Sequence, residues 1–126
     1  MKEDRHLLSS IYPQIVVVFM TYVDEHITCS LRAKQIAEDL EVPYKYLSAM
    51  VNQNLNRTIP SYIRQRRVEC AAKLLIHTDL PIEKISADFQ FKRQQYFATA
   101  FRQRFQCSPT QYRQKQWGTG QGIFYQ

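Results

Sequence analysis

The twelve residues from Lys92 to Gln103, KRQQYFATAFRQ, interleave two kinds of side chain. At helical spacing, Tyr96 or Phe97 forms an inward stripe with Ala100 and Phe101. Arg93 and Gln94 are then left outside with Thr99 and Gln103, and Gln95 lies near the edge of that face. Arginine can pair in bidentate fashion with O6 and N7 of guanine, and glutamine with N6 and N7 of adenine. A helix start normally carries Ser, Thr, Asp or Asn and favours acidic neighbours, yet Lys92, Arg93 and two glutamines stand here. Such a start costs about 1 kcal/mol in a free protein. It becomes sensible if the first turn points into a DNA groove flanked by phosphates. Lys92, Arg102, Arg104, Arg113 and Lys115 would then hold the duplex backbone, fixing register without reading bases.

The same apolar register occurs earlier in the chain. Ile36, Ala37, Leu40 and Val42 recur forty-nine positions later as Ile85, Ser86, Phe89 and Phe91. Tyr46, Leu47, Met50 and Val51 recur fifty positions later as Tyr96, Phe97, Ala100 and Phe101. The pairing continues from Leu55 to Phe105, Thr58 to Ser108 and Tyr62 to Tyr112, with one residue inserted in the second turn. Each repeat reads as a short helix, a tight turn and a second helix, an arrangement whose second helix can enter a major groove. The bland alternative is two helical hairpins of an ordinary bundle. The first copy exposes Tyr44, Lys45, Ser48, Ala49 and Gln53. Lys45 could meet a guanine or a phosphate, Ser48 and Ala49 permit close approach to a thymine methyl, and Tyr44 is set against the phosphates.

Helices must position these residues, and the pattern predicts an all-α chain. Ile15, Val18, Phe19, Tyr22 and Val23 make one face of a first helix. SLRAKQIAEDL follows with Ser30 as its expected N-cap, and then YKYLSAMVNQNL turns Leu47, Met50 and Val51 inward. SYIRQRRVECAAKLL is the strongest amphipath, with Val68, Ala71, Ala72 and Leu75 at i, i+3, i+4 and i+7. Asp79 is the expected cap before Pro81 and IEKISADF, and a short helix over TQYRQKQ closes the fold. GTGQG marks a flexible tail. The expected organisation is an N-terminal arm over 1–13, a first helix-turn-helix subdomain over 14–59 and a linker helix over 60–76. A second subdomain follows over 77–116 and a tail over 117–126.

Composition narrows the chemistry. Residues 1–60 hold six Lys/Arg against seven Asp/Glu, whereas 61–126 hold eleven against four, so the second half carries +7. A polyanion partner suits that imbalance. Three glycines and no Gly-rich loop argue against a phosphate-cradling fold. No nucleophile–base pair stands out, so no catalytic residue and no cofactor is expected. Cys29, Cys70 and Cys107 resemble neither a disulfide framework nor a zinc site and suit a reducing cytoplasm. His26 and Cys29 have helical ligand spacing, but two ligands do not close a metal site. The apolar run Ile15–Met20 is too short to span a bilayer, and Pro13, Asp24 and Glu25 spoil a signal peptide.

Tyr62, Ile63, Arg67 through Leu75, Pro81, Ile82, Ile85, Phe91, Gln94, Gln95, Phe97, Phe101, Phe105, Pro109, Tyr112 and Arg113 together resemble a known pattern. It is that of the DNA-binding domain of the AraC/XylS family of bacterial transcription regulators, in particular its small single-domain MarA/SoxS-like type. The resemblance runs from about residue 14 to 116 and is strongest over 58–113. It implies two helix-turn-helix subdomains joined by a long central helix, bound as a monomer to double-stranded DNA, usually activating transcription with RNA polymerase. Carried over by position, Arg93, Gln94, Gln95, Tyr96 and Thr99 lie near bases from the second recognition helix, and Lys45, Ser48 and Ala49 from the first. At those three positions MarA-type proteins carry Trp, Gln and Arg. The family's turn glycines are replaced by Glu41, Asn56 and Gln90. The chain has no room for a small-molecule effector domain beside these elements. The linking helix, roughly 22 Å long for about fifteen residues, would set the recognition helices near one DNA turn apart, in successive major grooves. A rival reading keeps the fold as a protein-interaction module that modulates another regulator or polymerase with weak DNA binding.

Overall fold

The computed structural model describes residues 11–118, in which seven α-helices and no strands are found. They are α1 (Gln14–Glu25), α2 (Ala33–Asp39), α3 (Tyr44–Leu55), α4 (Ile59–His77), α5 (Ile82–Asp88), α6 (Gln94–Phe105) and α7 (Pro109–Gly118). The all-helical expectation is met. Two compact units divide the chain at Ile63 and Arg64, inside α4. The arm expected over 1–13 falls largely outside the described residues, as does the tail beyond Gly118; Trp117 and Gly118 belong to α7. No helix among the described residues is long and apolar enough to cross a membrane.

The first unit closes around Phe19, Val23, Ile36, Leu47, Val51 and Tyr62, all buried. The ring of Phe19 packs on Tyr62 at 5.3 Å between centroids. On α1 the buried set is Val16, Val17, Phe19 and Val23, whereas Val18 is 38% exposed. The face therefore lies rotated from the expected one. Ile15 to Phe19 are all apolar, so periodicity could not orient that turn. The helix α2 starts later than expected. Arg32, extended at φ −125°, is its N-cap, and the first turn closes from Ile36 N–H to Arg32 C=O at 2.9 Å. Ser30 lies two residues too early to cap it. The Tyr22 hydroxyl donates to the Asp39 carboxylate, tying α1 to α2.

In the second unit α4 buries Val68, Ala71, Ala72 and Leu75, the stripe expected from its spacing. Its core is aromatic on the α6 side: Phe97 meets Phe91 at 5.2 Å and Phe101 at 5.6 Å, and Phe101 meets Tyr112 edge-on at 5.2 Å. Pro81, not Asp79, occupies the N-cap of α5, where Ile85 N–H bonds to Pro81 C=O at 3.1 Å. With φ preset near −65° and no N–H to satisfy, proline suits a helix start without any side-chain acceptor.

The repeat extends to the backbone. Val42 N–H reaches Ala37 C=O at 3.0 Å, and Phe91 N–H reaches Ser86 C=O at 3.1 Å, the longer bond of a Schellman turn. Glu41 and Gln90, at φ 59° and 69°, occupy the left-handed residue of each turn. Asn56 and Gln106 end α3 and α6 in the same conformation, at φ 56° and 62°. Gln106 is the fourth such position, and the register pairs it with Asn56.

Candidate nucleic-acid interface

The second recognition helix, α6, begins with Arg93 as N-cap, and no side chain caps it. Lys92 therefore precedes the cap, and the capping argument attaches to Arg93. In the first turn Tyr96 N–H and Phe97 N–H bond to Arg93 C=O at 3.0 and 3.4 Å, which leaves the N–H groups of Gln94 and Gln95 for an outside partner. No acidic residue stands in the first turn, while Arg102 and Arg104 fall in the last, where the helix dipole favours cations. Arg93, Gln94, Gln95 and Thr99 are all exposed. Of the two candidates for the inward position, Phe97 is buried and Tyr96 is 52% exposed. The Thr99 hydroxyl donates to Gln95 C=O at 3.0 Å, so what it offers outward is a lone pair and a methyl group.

The first recognition helix, α3, is built on the same plan with Pro43 as N-cap and no side-chain cap. Tyr44, Lys45 and Ala49 are exposed and Ser48 is half-buried. These four residues, with Asn52 and Gln53, line an open depression of about 420 Å³. Ser48 and Ala49 are the small side chains in its lining. Asn52 and Tyr46, the latter 47% exposed, join this surface beyond the residues expected from the pattern. The signal was available, because the repeat pairs Tyr46 with Tyr96.

The cations separate into two groups. Lys92, just before α6, and Arg102, in its last turn, are exposed. Arg104 instead donates from Nε to Glu69 Oε2 at 2.9 Å and lies over the Phe105 ring at 4.6 Å. Arg66 and Gln65 donate to the same carboxylate at 2.7 and 3.1 Å. Burial opposes the charge on Glu69, but these three hydrogen bonds outweigh it and hold its pKa below the usual value. Arg113 bonds through Nε to Leu75 C=O at 2.9 Å and through Nη2 to Thr78 C=O at 3.1 Å. Burial lowers its pKa, against an opposing pull from Asp79. Here the guanidinium closes the C-terminus of α4, a structural employment that the expected phosphate role did not include. Trp117 Nε1 donates to Ile76 C=O at 2.9 Å beside it.

Elsewhere, His26 Nδ1 lies 2.9 Å from Tyr22 C=O and its ring stacks on Tyr22. No group of three or more possible metal ligands comes together among the described residues.

The pattern of a helix-turn-helix domain family matches residues 36–115. The regulatory protein SoxS of Salmonella typhimurium is 34% identical over 104 residues, covering 82% of this chain and 97% of that protein. Among solved structures, the C-terminal domain of AraT, a response regulator from Geobacillus stearothermophilus, superposes with a TM-score of 0.75 at 36% identity. That match covers 83% of this chain and 87% of the other. The xylose-binding transcription activator xylR gives a TM-score of 0.76 at 26% identity, covering 83% of this chain and 28% of its own. Such relatives are regulators of transcription, not enzymes. With its paired helix-turn-helix repeats, the chain belongs to the AraC-type family of DNA-binding transcription regulators.

Proposed function

We propose that the protein activates transcription as a monomer, placing the first turns of α3 and α6 in successive major grooves of one duplex and acting with RNA polymerase in the cytoplasm. The observation that carries this reading is the pair of uncapped, acid-free helix starts, each presenting exposed polar side chains above a buried apolar stripe. In this arrangement Arg93, Gln94, Gln95, Tyr96 and Thr99 face bases from α6, and Lys45, Ser48 and Ala49 from α3. Lys92, Arg102 and Tyr44 contact phosphates, with Arg104 available from its partly exposed Glu69 pair. Arg113 supports the interface by fixing α4 against α7. Two recognition helices in one chain remove the need for a dimer, and the relationship to a transcription activator supports the sign of the effect.

The rival, a protein-interaction module with weak DNA binding, draws on one observation: Lys45 is the only cation within α3. A salt titration of affinity for duplex DNA separates the two. Three cations on phosphates, Lys92, Arg102 and Arg104, give a slope of log K against log salt of about −3. Affinity that is weak and independent of salt would favour the rival.

A further inference from the structure

The depression on α3 bears on which bases that helix selects, an inference that rests on the DNA-binding reading of the site. Residues 45, 49 and 52 stand one above another on the helix, so Asn52 lies at the middle of the outward face. No hydrogen bond within the described residues engages the side-chain amides of Asn52 and Gln53. The neighbouring Asn54, by contrast, donates to Met50 C=O at 2.8 Å. α3 contains no carboxylate. A free amide lining the same hollow as the small side chains of Ser48 and Ala49 matches two features that one kind of base pair shows together in the major groove. Adenine offers an acceptor at N7 and a donor at N6, and its thymine partner projects a methyl group. Cytosine lacks the methyl, and guanine offers two acceptors where an amide needs one acceptor and one donor.

The geometry points to α3 as a reader of A·T pairs, with Asn52 bonding to adenine N6 and N7 and a thymine methyl seated over Ser48 and Ala49. The two recognition helices then specify different bases. In the repeat, Asn52 corresponds to Arg102, Ala49 to Thr99 and Ser48 to Ala98, so α6 carries its amides in the first turn, at Gln94 and Gln95, and none at the position of Asn52. The operator is accordingly asymmetric, with an A·T element under α3 and a guanine within reach of Arg93 under α6.

The test is to select preferred duplexes from random DNA with the full chain and then modify them one atom group at a time. In the α3 half-site, replacing the contacted thymine by uracil is expected to weaken binding about threefold to fourfold, the worth of one buried methyl. Asn52→Ala is expected to lose about tenfold or more on the preferred duplex and to become indifferent at the adenine position. Alanine is the stronger helix former at this exposed site, so circular dichroism should show the fold retained. Ala49→Leu, which fills the hollow, should abolish the difference between thymine and uracil. Selection of G·C pairs under α3, or an Asn52→Ala loss equal on every duplex, overturns this inference while leaving the DNA function standing. Failure to enrich any duplex, with no salt dependence, overturns both.

Discussion

Arg93 stands where folding and binding ask for different residues. As N-cap of α6 it supplies no acceptor, and its charge faces the positive end of the helix dipole. Arg93→Asp would supply both an acceptor and a favourable charge, worth about 0.5–2 kcal/mol of stability. The same carboxylate would meet phosphates and remove the guanine donor, so DNA affinity should fall. Melting temperature and affinity, measured on the same variant, are expected to move in opposite directions. A fall in both would mean that Arg93 serves the fold. Most of this surface was legible from residue types alone, since the helical period separates Phe97, Ala100 and Phe101 from Arg93, Gln94 and Thr99. The commitments of Arg104 and Arg113 were not. Their partners Glu69, Leu75 and Thr78 lie 35–38 residues away in sequence, and only tertiary packing brings them together.

At the scale of elements, the turns hold a further conflict. Glu41 and Gln90 occupy left-handed conformations at φ 59° and 69°, a region that costs an ordinary L-residue roughly 1–2 kcal/mol and glycine nearly nothing. Glu41→Gly and Gln90→Gly are each expected to stabilise the protein by about 1 kcal/mol, less the entropy that glycine gains in the unfolded chain. Thermal or urea denaturation of the two variants checks this, and destabilisation in both would show that the side chains make compensating contacts. Periodicity is enough to find the helices, and the stripe of α4 is legible residue by residue. Helix starts are less legible. Ser30 and Asp79 looked like caps by type, but Arg32 and Pro81 hold those places. A residue's preference for capping does not say where the chain first turns; Pro81 does so through its fixed φ, and Arg32 through the turn that buries Ile36 and Ala37.

For the whole molecule, the repeat and the charge imbalance carried most of the information. Residues 61–126 hold +7 and residues 1–60 hold −1, which places the electrostatic attraction for DNA chiefly in the second unit. The repeat gave the two-unit plan, and its register even pairs backbone conformations, as Asn56 with Gln106. What it could not convey is how far the copies have diverged in use, because α3 offers one cation and a small-residue hollow where α6 offers Arg93 and Arg102. In the proposed complex α6 reads bases through Arg93 and its first turn while Lys92 and Arg102 hold the backbone. This reading is tested most directly by measuring the affinity of the native chain and of Arg93→Ala for the selected duplex and for each of its single-base variants. The expected result is a loss of about 1–3 kcal/mol on the preferred duplex and relaxed discrimination at one base position, with the other positions unchanged. An equal loss on every duplex, or no loss at all, would contradict it.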